Sequence, residues 1–88
     1  MNPYELIKQI LKENDFGRLV EGLTKDQMIS MIKDEFLGEI DIKQDFQTNQ
    51  KVIYDKFYDK NSISIYSILS HDDVEDLYEA TQKLILGK

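Results

Sequence analysis

The sequence has no cysteine and no tryptophan, and its single proline stands at position 3. Without cysteine the chain can form no disulfide, no thiolate zinc or iron–sulfur site and no cysteine nucleophile. The four glycines stand singly, at 17, 22, 38 and 87, so neither the phosphate loop of nucleotide hydrolases nor the dinucleotide-binding fingerprint can be drawn. These absences exclude several common catalytic and cofactor-binding classes.

Long apolar runs and an excess of basic residues are also missing. No stretch approaches the roughly 18 consecutive apolar residues of a membrane span, and the N-terminus lacks the features of a signal peptide. We therefore expect a cytoplasmic protein that does not cross a membrane. The chain carries 11 basic and 17 acidic residues, for a net charge of −6. Because nucleic acids and anionic membranes attract cationic surfaces, this balance disfavours both and favours a basic protein partner.

The composition nevertheless predicts a folded chain. Hydrophobic residues make up 41% of the 88 positions and charged residues 32%, which is more apolar than a disordered chain of this charge. This length suits one small domain with a modest core. We therefore predict a single helical domain over residues 1–88.

Capping patterns predict the first helices. A capping box at residues 2–5, followed by an apolar face, predicts a helix from residue 3 to about residue 14. A short helical turn or an ordered loop follows over 16–23, where two glycines disfavour a longer helix. A second capping box at residues 24–27 predicts a helix over 25–37.

The centre of the chain allows two interpretations. Residues 39–42 and residues 62–66 each alternate like a short strand, so an α+β domain with a small two-stranded ribbon is one possibility. Residues 41–44 also have the pattern of a helix start. We favour a helix over 42–59, followed by an extended and partly buried connection over 61–70.

The last helix has the clearest signals. Ser70 is the predicted N-cap, Asp73 follows three positions later, and Gly87 is placed to end the helix. One face is apolar almost throughout, with Val74, Leu77, Tyr78, Thr81, Leu84 and Ile85. The fold prediction is therefore all-α: a compact four-helix domain with a short helical turn after the first helix.

No metal or catalytic motif is complete. His71 is the only histidine, and although it precedes two aspartates as in phosphohydrolase metal pairs, one imidazole cannot supply the several histidines of those sites. Asp55, Asp59 and Asn61 lack the glycine and the glutamate of a calcium loop. We therefore predict a non-enzymatic protein with no metal and no cofactor, and a first-turn surface position for His71.

Residues 52–60 form the most suggestive stretch. As a helix this segment would bury two apolar side chains and place Tyr54, Asp55, Tyr58 and Asp59 on a neighbouring face. Tyrosine is enriched at interface hot spots, and adjacent acids favour partners rich in lysine and arginine. We predict partner binding here. The alternative is that both tyrosines lie partly buried at the edge of the core.

A second acidic set stands at the start of the last helix, with Asp72, Asp73 and Asp76. Carboxylates in the first turns of a helix are stabilising through the helix dipole, which explains them without any binding role. They would in addition present negative charge to a cationic partner. We therefore include all three among the candidate partner-binding residues.

Four helices, an acidic balance and tyrosines beside carboxylates resemble, in architecture, the small acidic immunity proteins that block colicin-type nucleases. Those proteins carry adjacent tyrosines followed by proline, whereas Tyr54 and Tyr58 stand four positions apart, so no residue role is carried over. We favour an acidic inhibitor, immunity or antitoxin-type protein, of bacterial or phage origin, acting on a basic protein. The alternative is a small housekeeping or regulatory subunit with an apolar surface, first of all residues 63–69.

Overall fold

Helices account for all regular structure in residues 1–87, the part of the chain that the computed structural model describes. The elements are α1 Pro3–Glu13, a 3-10 turn Gly17–Val20, α2 Lys25–Ile32, a π-helical turn Lys33–Leu37, α3 Phe46–Asn61, a 3-10 turn Ile65–Ser67 and α4 His71–Leu86. The all-α prediction is therefore confirmed, including the short helical turn after the first helix. No strand forms within residues 1–87, so the alternative ribbon of residues 39–42 and 62–66 is not supported.

The predicted caps of α2 and α4 are present. The amide of Gln27 donates to the Thr24 hydroxyl at 3.2 Å, and the Gln27 side chain accepts from the Thr24 amide at 2.9 Å. At α4, the Ser70 hydroxyl accepts the amide of Asp73 at 3.1 Å. These bonds satisfy N–H groups that the first turn of a helix leaves without a partner.

α2 ends in a wider turn than its sequence predicts. The α-helix stops at Ile32, and the chain continues as one π-helical turn that buries both Phe36 and Leu37. Gly38 ends this turn at a φ of +74°, and a Cβ there would lie 2.7 Å from Cδ of Lys56 on α3. The backbone conformation therefore requires glycine, and a side chain at this position would also have to displace the Lys56 side chain.

α3 begins four residues later than predicted. The Asp45 carboxylate accepts the amide of Thr48 at 2.8 Å and caps the helix. Hydrogen bonds from the Thr48 side chain and from the Thr48 amide lower the pKa of Asp45 below its ordinary value. Asp41, the predicted cap, instead accepts the Lys43 amide at 3.1 Å within a turn. The helix prediction for 42–59 is therefore wrong at its start, and α3 also runs on to Asn61.

A polar clamp holds the loop before α3, and it consists of Asn49 on α3 with Tyr78 and Gln82 on α4. Asn49 is buried, and its amide donates to the Asp41 carbonyl at 2.8 Å and to the Tyr78 hydroxyl at 2.9 Å. Tyr78 donates in turn to the Gln44 carbonyl, which Gln82 also contacts at 3.0 Å. Side chains thus take up loop carbonyls that an earlier helix would have bonded internally, which is why α3 starts late.

Burial raises the pKa of the Tyr78 hydroxyl, while the hydrogen bond from Asn49 acts in the opposite direction. Tyr78 therefore stays protonated at neutral pH and can donate to the loop. No buried side-chain nitrogen or oxygen in residues 1–87 lacks a hydrogen-bond partner. The clamp is in this sense a complete polar network inside the core.

The core is centred on α4, whose most extensive contact is with α1. Val74, Leu77 and Tyr78 are fully buried on α4. The connection before α4 contributes Ile65 and Leu69 to the same core, as the sequence predicts, although it contains a 3-10 turn rather than being fully extended.

Truncation of the central leucine of α4 tests this arrangement. Leu77→Ala should lower the free energy of unfolding by about 2–5 kcal/mol, because it removes a fully buried side chain and leaves a cavity. Leu86→Ala, at a position 38% exposed on the same helix, should cost about 1 kcal/mol or less. Urea denaturation of both variants gives the comparison. Equal losses would show that α4 is rotated from its described position.

Removal of one hydroxyl tests the clamp. Tyr78→Phe should lower the free energy of unfolding by about 1–3 kcal/mol, because the Asn49 amide and the Gln44 carbonyl lose a buried partner. Tyr58→Phe, at a residue 51% exposed, is the matched control and should stay within about 0.5 kcal/mol of wild type. Chemical denaturation measures both. A Tyr78→Phe protein as stable as the control would contradict the clamp.

Candidate functional site

Four aromatic rings form a continuous row on the outside of the fold, and we call Tyr58, Tyr54, Tyr66 and His71 the aromatic row. The centroids of Tyr58 and Tyr54 lie 6.5 Å apart with their planes at 15°. Tyr54 and Tyr66 are 6.1 Å apart at 30°, and Tyr66 and His71 are 5.7 Å apart at 23°. Neighbouring rings are thus stacked along the row.

Three elements bring the rings together. Tyr54 and Tyr58 lie one turn apart on α3, which places them on one face of the helix. Tyr66 comes from the 3-10 turn, where the Ser64 hydroxyl accepts the Tyr66 amide at 3.1 Å and the preceding Ile65 is fully buried. His71 is the first residue of α4. The row therefore depends on tertiary packing as well as on helix periodicity.

The His71 end of the row is joined to the core. Its ring meets the edge of Phe46 at 5.7 Å, and Phe46 in turn lies 5.8 Å from the ring of Tyr78 in the clamp. The Gln50 amide nitrogen lies 3.1 Å from Nε2 of His71 and 3.2 Å from the Tyr66 hydroxyl. Gln50 therefore connects the ring of His71 with the hydroxyl of Tyr66.

Two hollows adjoin the row. The first has a volume of about 390 Å³, and its lining consists of Gln47, Gln50, Lys51, Tyr54, Asp55 and Tyr66. We call it the Tyr54–Tyr66 groove. The second has a volume of about 500 Å³ and lies among Tyr54, Asp55, Tyr58 and Asp59. Asp55 and Tyr54 border both hollows, so each hollow is lined by a carboxylate and an aromatic ring.

The structure thus brings together the four residues that the sequence singled out on α3. Tyr54 is 36% exposed and Tyr58 51% exposed, so neither is buried in the core. Asp59 is exposed, and Asp55 forms an exposed ion pair with Lys51 at 2.8 Å. An exposed pair one helical turn apart is weak, so the Asp55 carboxylate is readily available to another cation.

The acidic residues at the start of α4 do not gather around the aromatic row. Asp73 is half-buried and accepts a hydrogen bond from the Asn14 side chain at 3.1 Å, which ties α4 to the end of α1. Asp76 is exposed and borders a different hollow, which also involves Pro3 and Leu6. Asp72 is fully exposed beside His71. Of these three aspartates, only Asp72 is next in the sequence to a member of the aromatic row.

One group of side chains in residues 1–87 has ligand atoms close enough to hold a metal. His71, Asp72 and Glu75 each offer such an atom, all within 4.8 Å of one another. The positive end of the α4 dipole opposes a cation at this position, and Nε2 of His71 already faces Gln50. We assign no metal to this group.

Sequence reasoning missed that Tyr66, His71 and Gln50 lie beside Tyr54 and Tyr58 on the surface.

No protein-family model, curated protein or solved structure matches this chain. Among residues 1–87 there is no helix with the length and apolarity needed to cross a membrane. What the face offers chemically is flat aromatic surface next to carboxylates, a combination that binds cationic side chains.

The row makes a graded stability prediction. Tyr54→Ala should lower the free energy of unfolding by about 1–2 kcal/mol, because Tyr54 stacks on two rings, whereas Tyr58→Ala should cost about 0.5 kcal/mol, because Tyr58 stacks on one. Urea denaturation of the two variants side by side measures the difference. An equal or larger loss for Tyr58→Ala would contradict the described row.

Proposed function

We propose that this chain is a non-enzymatic, cytoplasmic binding module that engages a basic protein partner through its aromatic row and the adjoining aspartates. Its role is that of an acidic inhibitor, immunity or antitoxin-type protein of bacterial or phage origin. The observation that carries the proposal is the stacked row of rings bordered by Asp55 and Asp59, in which Tyr54, Tyr58 and His71 are exposed and Tyr66 is half-buried.

The rings supply contact area at low entropic cost. A tyrosine side chain contributes a large surface with only two rotatable bonds, which is why tyrosine is common at hot spots. Stacking already restrains Tyr54 between Tyr58 and Tyr66 in the free protein. A preorganised face loses less conformational freedom on binding, so more of the contact energy appears as affinity.

The negative charge of the protein favours a cationic partner. With a net charge of −6, the protein attracts cationic surfaces over distances longer than a direct contact. Asp55 and Asp59 lie on the same helix as the two exposed tyrosines and place carboxylates beside them, on a helix that also carries Lys51, Lys56 and Lys60. Such charges mainly raise the association rate, while the buried aromatic contacts slow dissociation.

The second candidate, a regulatory subunit that binds through an apolar surface, has less support. Ile65 and Leu69 of the proposed apolar segment lie in the core, and Ile63 is 46% exposed. Val52 on α3 is 39% exposed. Ile63 is thus the one large hydrophobic side chain of residues 63–69 that is exposed.

The test compares three paired variants with wild type. The first is Tyr54→Ala with Tyr58→Ala, and the second is Asp55→Asn with Asp59→Asn. A charge-matched control, Glu21→Gln with Glu79→Gln, removes two exposed carboxylates that do not line the face. Each folded protein is immobilised, the partner is captured from cells that encode the chain, and the purified partner is used for binding kinetics.

We expect distinct kinetic effects. The tyrosine pair should weaken binding at least about 30-fold, mostly through faster dissociation, which is the loss of about 2 kcal/mol that defines a hot spot. The aspartate pair should slow association and flatten its dependence on salt, since exposed charges are screened within about 8 Å at physiological ionic strength. The control should bind like wild type. An acidic partner, or three variants that all bind like wild type, would contradict the proposal.

A further inference from the structure

We infer that the Tyr54–Tyr66 groove binds one arginine side chain of the partner, with the guanidinium group packed against the Tyr54 and Tyr66 rings and paired with Asp55. This inference rests on the proposed function, because it names the chemical group that the aromatic row recognises. It is argued from the shape of the groove, from its polar groups and from the ion pair at its edge.

The shape of the groove suits a flat cation. The rings of Tyr54 and Tyr66 are stacked at 30°, and they border a hollow of about 390 Å³. A guanidinium group is planar and weakly hydrated, so it packs readily against aromatic rings, whereas the ammonium of lysine is compact and strongly hydrated. The groove therefore favours arginine over lysine.

The polar groups of the groove match the donors of a guanidinium. Asp55 supplies a carboxylate, which arginine engages with two parallel hydrogen bonds. The Gln50 amide nitrogen faces Tyr66 and His71, which leaves the amide oxygen as an additional acceptor. The guanidinium group, with its five N–H donors, can therefore form both an ion pair and hydrogen bonds in the groove. A neutral side chain of the same shape could form only the hydrogen bonds.

A lysine of the chain itself marks the place of the incoming cation. The Lys51 ammonium lies 2.8 Å from the Asp55 carboxylate and lines the same groove, and the hydrogen bond to Asp55 raises the pKa of Lys51. The Lys51 side chain is 85% exposed, so this pair is weak and is replaced at little cost. Lys51 is therefore an internal competitor of the arginine, and its removal should strengthen binding.

The experiment titrates isotope-labelled protein with N-acetyl-arginine amide and follows amide and tyrosine ring resonances. The lysine and citrulline amides serve as probes that change, respectively, the shape and the charge of the head group. The variants are Tyr54→Ala, Lys51→Gln and the control Lys56→Gln, which removes the same charge from α3 beside the π-helical turn.

We expect saturable shifts at Gln50, Tyr54 and Tyr66 with the arginine amide, at least about threefold tighter than with the lysine amide, in line with an exposed cation–π contact. The citrulline amide should give no saturable shift. Lys51→Gln should tighten arginine binding about twofold relative to Lys56→Gln, given the small free energy of an exposed pair. Tyr54→Ala should weaken it at least about threefold.

Several results would overturn the inference: equal affinity for the two cations, shifts confined to other surfaces, no saturable shift, or no difference between the two lysine variants. Stronger saturable shifts with a short single-stranded oligonucleotide would also overturn it, since bases stack on tyrosines too. The two proposals fail separately. If the captured partner needs the row but the arginine amide does not bind, only the arginine assignment falls, and if the partner ignores the row, the proposed function falls.

Discussion

A single buried amide, that of Asn49, is the contact on which the candidate face depends. An unpaired amide inside the core would cost about 1–3 kcal/mol, so Asn49 is tolerated where the Tyr78 hydroxyl and the Asp41 carbonyl accept its protons. Meeting this requirement fixes the preceding loop, and together with the burial of Ile53 and Phe57 it directs one side of α3 to the core. Tyr54 and Tyr58 are consequently left on the outer side of α3, where they stack on each other.

The helix boundaries that could be predicted are those set by local contacts. Thr24 and Ser70 cap their helices through partners three positions away, and the sequence displays both members of each pair. The start of α3 is different, because Asp41 and Asp45 both have an acceptable local pattern. Hydrogen bonds from α4 to the intervening loop decide between them, and Gln82 lies 38 positions from its acceptor at Gln44. A local sequence pattern cannot indicate a hydrogen bond between residues so far apart in the chain.

The aromatic row also contains residues that local sequence patterns predict and residues that they do not. Helical spacing alone places Tyr54 and Tyr58 together, which is why the sequence identifies them. Tyr66 and His71 join them only because the buried Ile65 turns the connection back across α3. His71 has the sequence pattern of a surface histidine, and its neighbours in the sequence do not indicate that its ring ends a row.

The central claim is that the core holds the exposed rings in one continuous row before any partner binds. The most direct test is a nuclear Overhauser spectrum of the free protein in solution, read at the aromatic ring protons. The account predicts cross-peaks from the Tyr66 ring to both the Tyr54 ring and the His71 ring. A well-dispersed spectrum of a folded protein in which either contact is missing would contradict it.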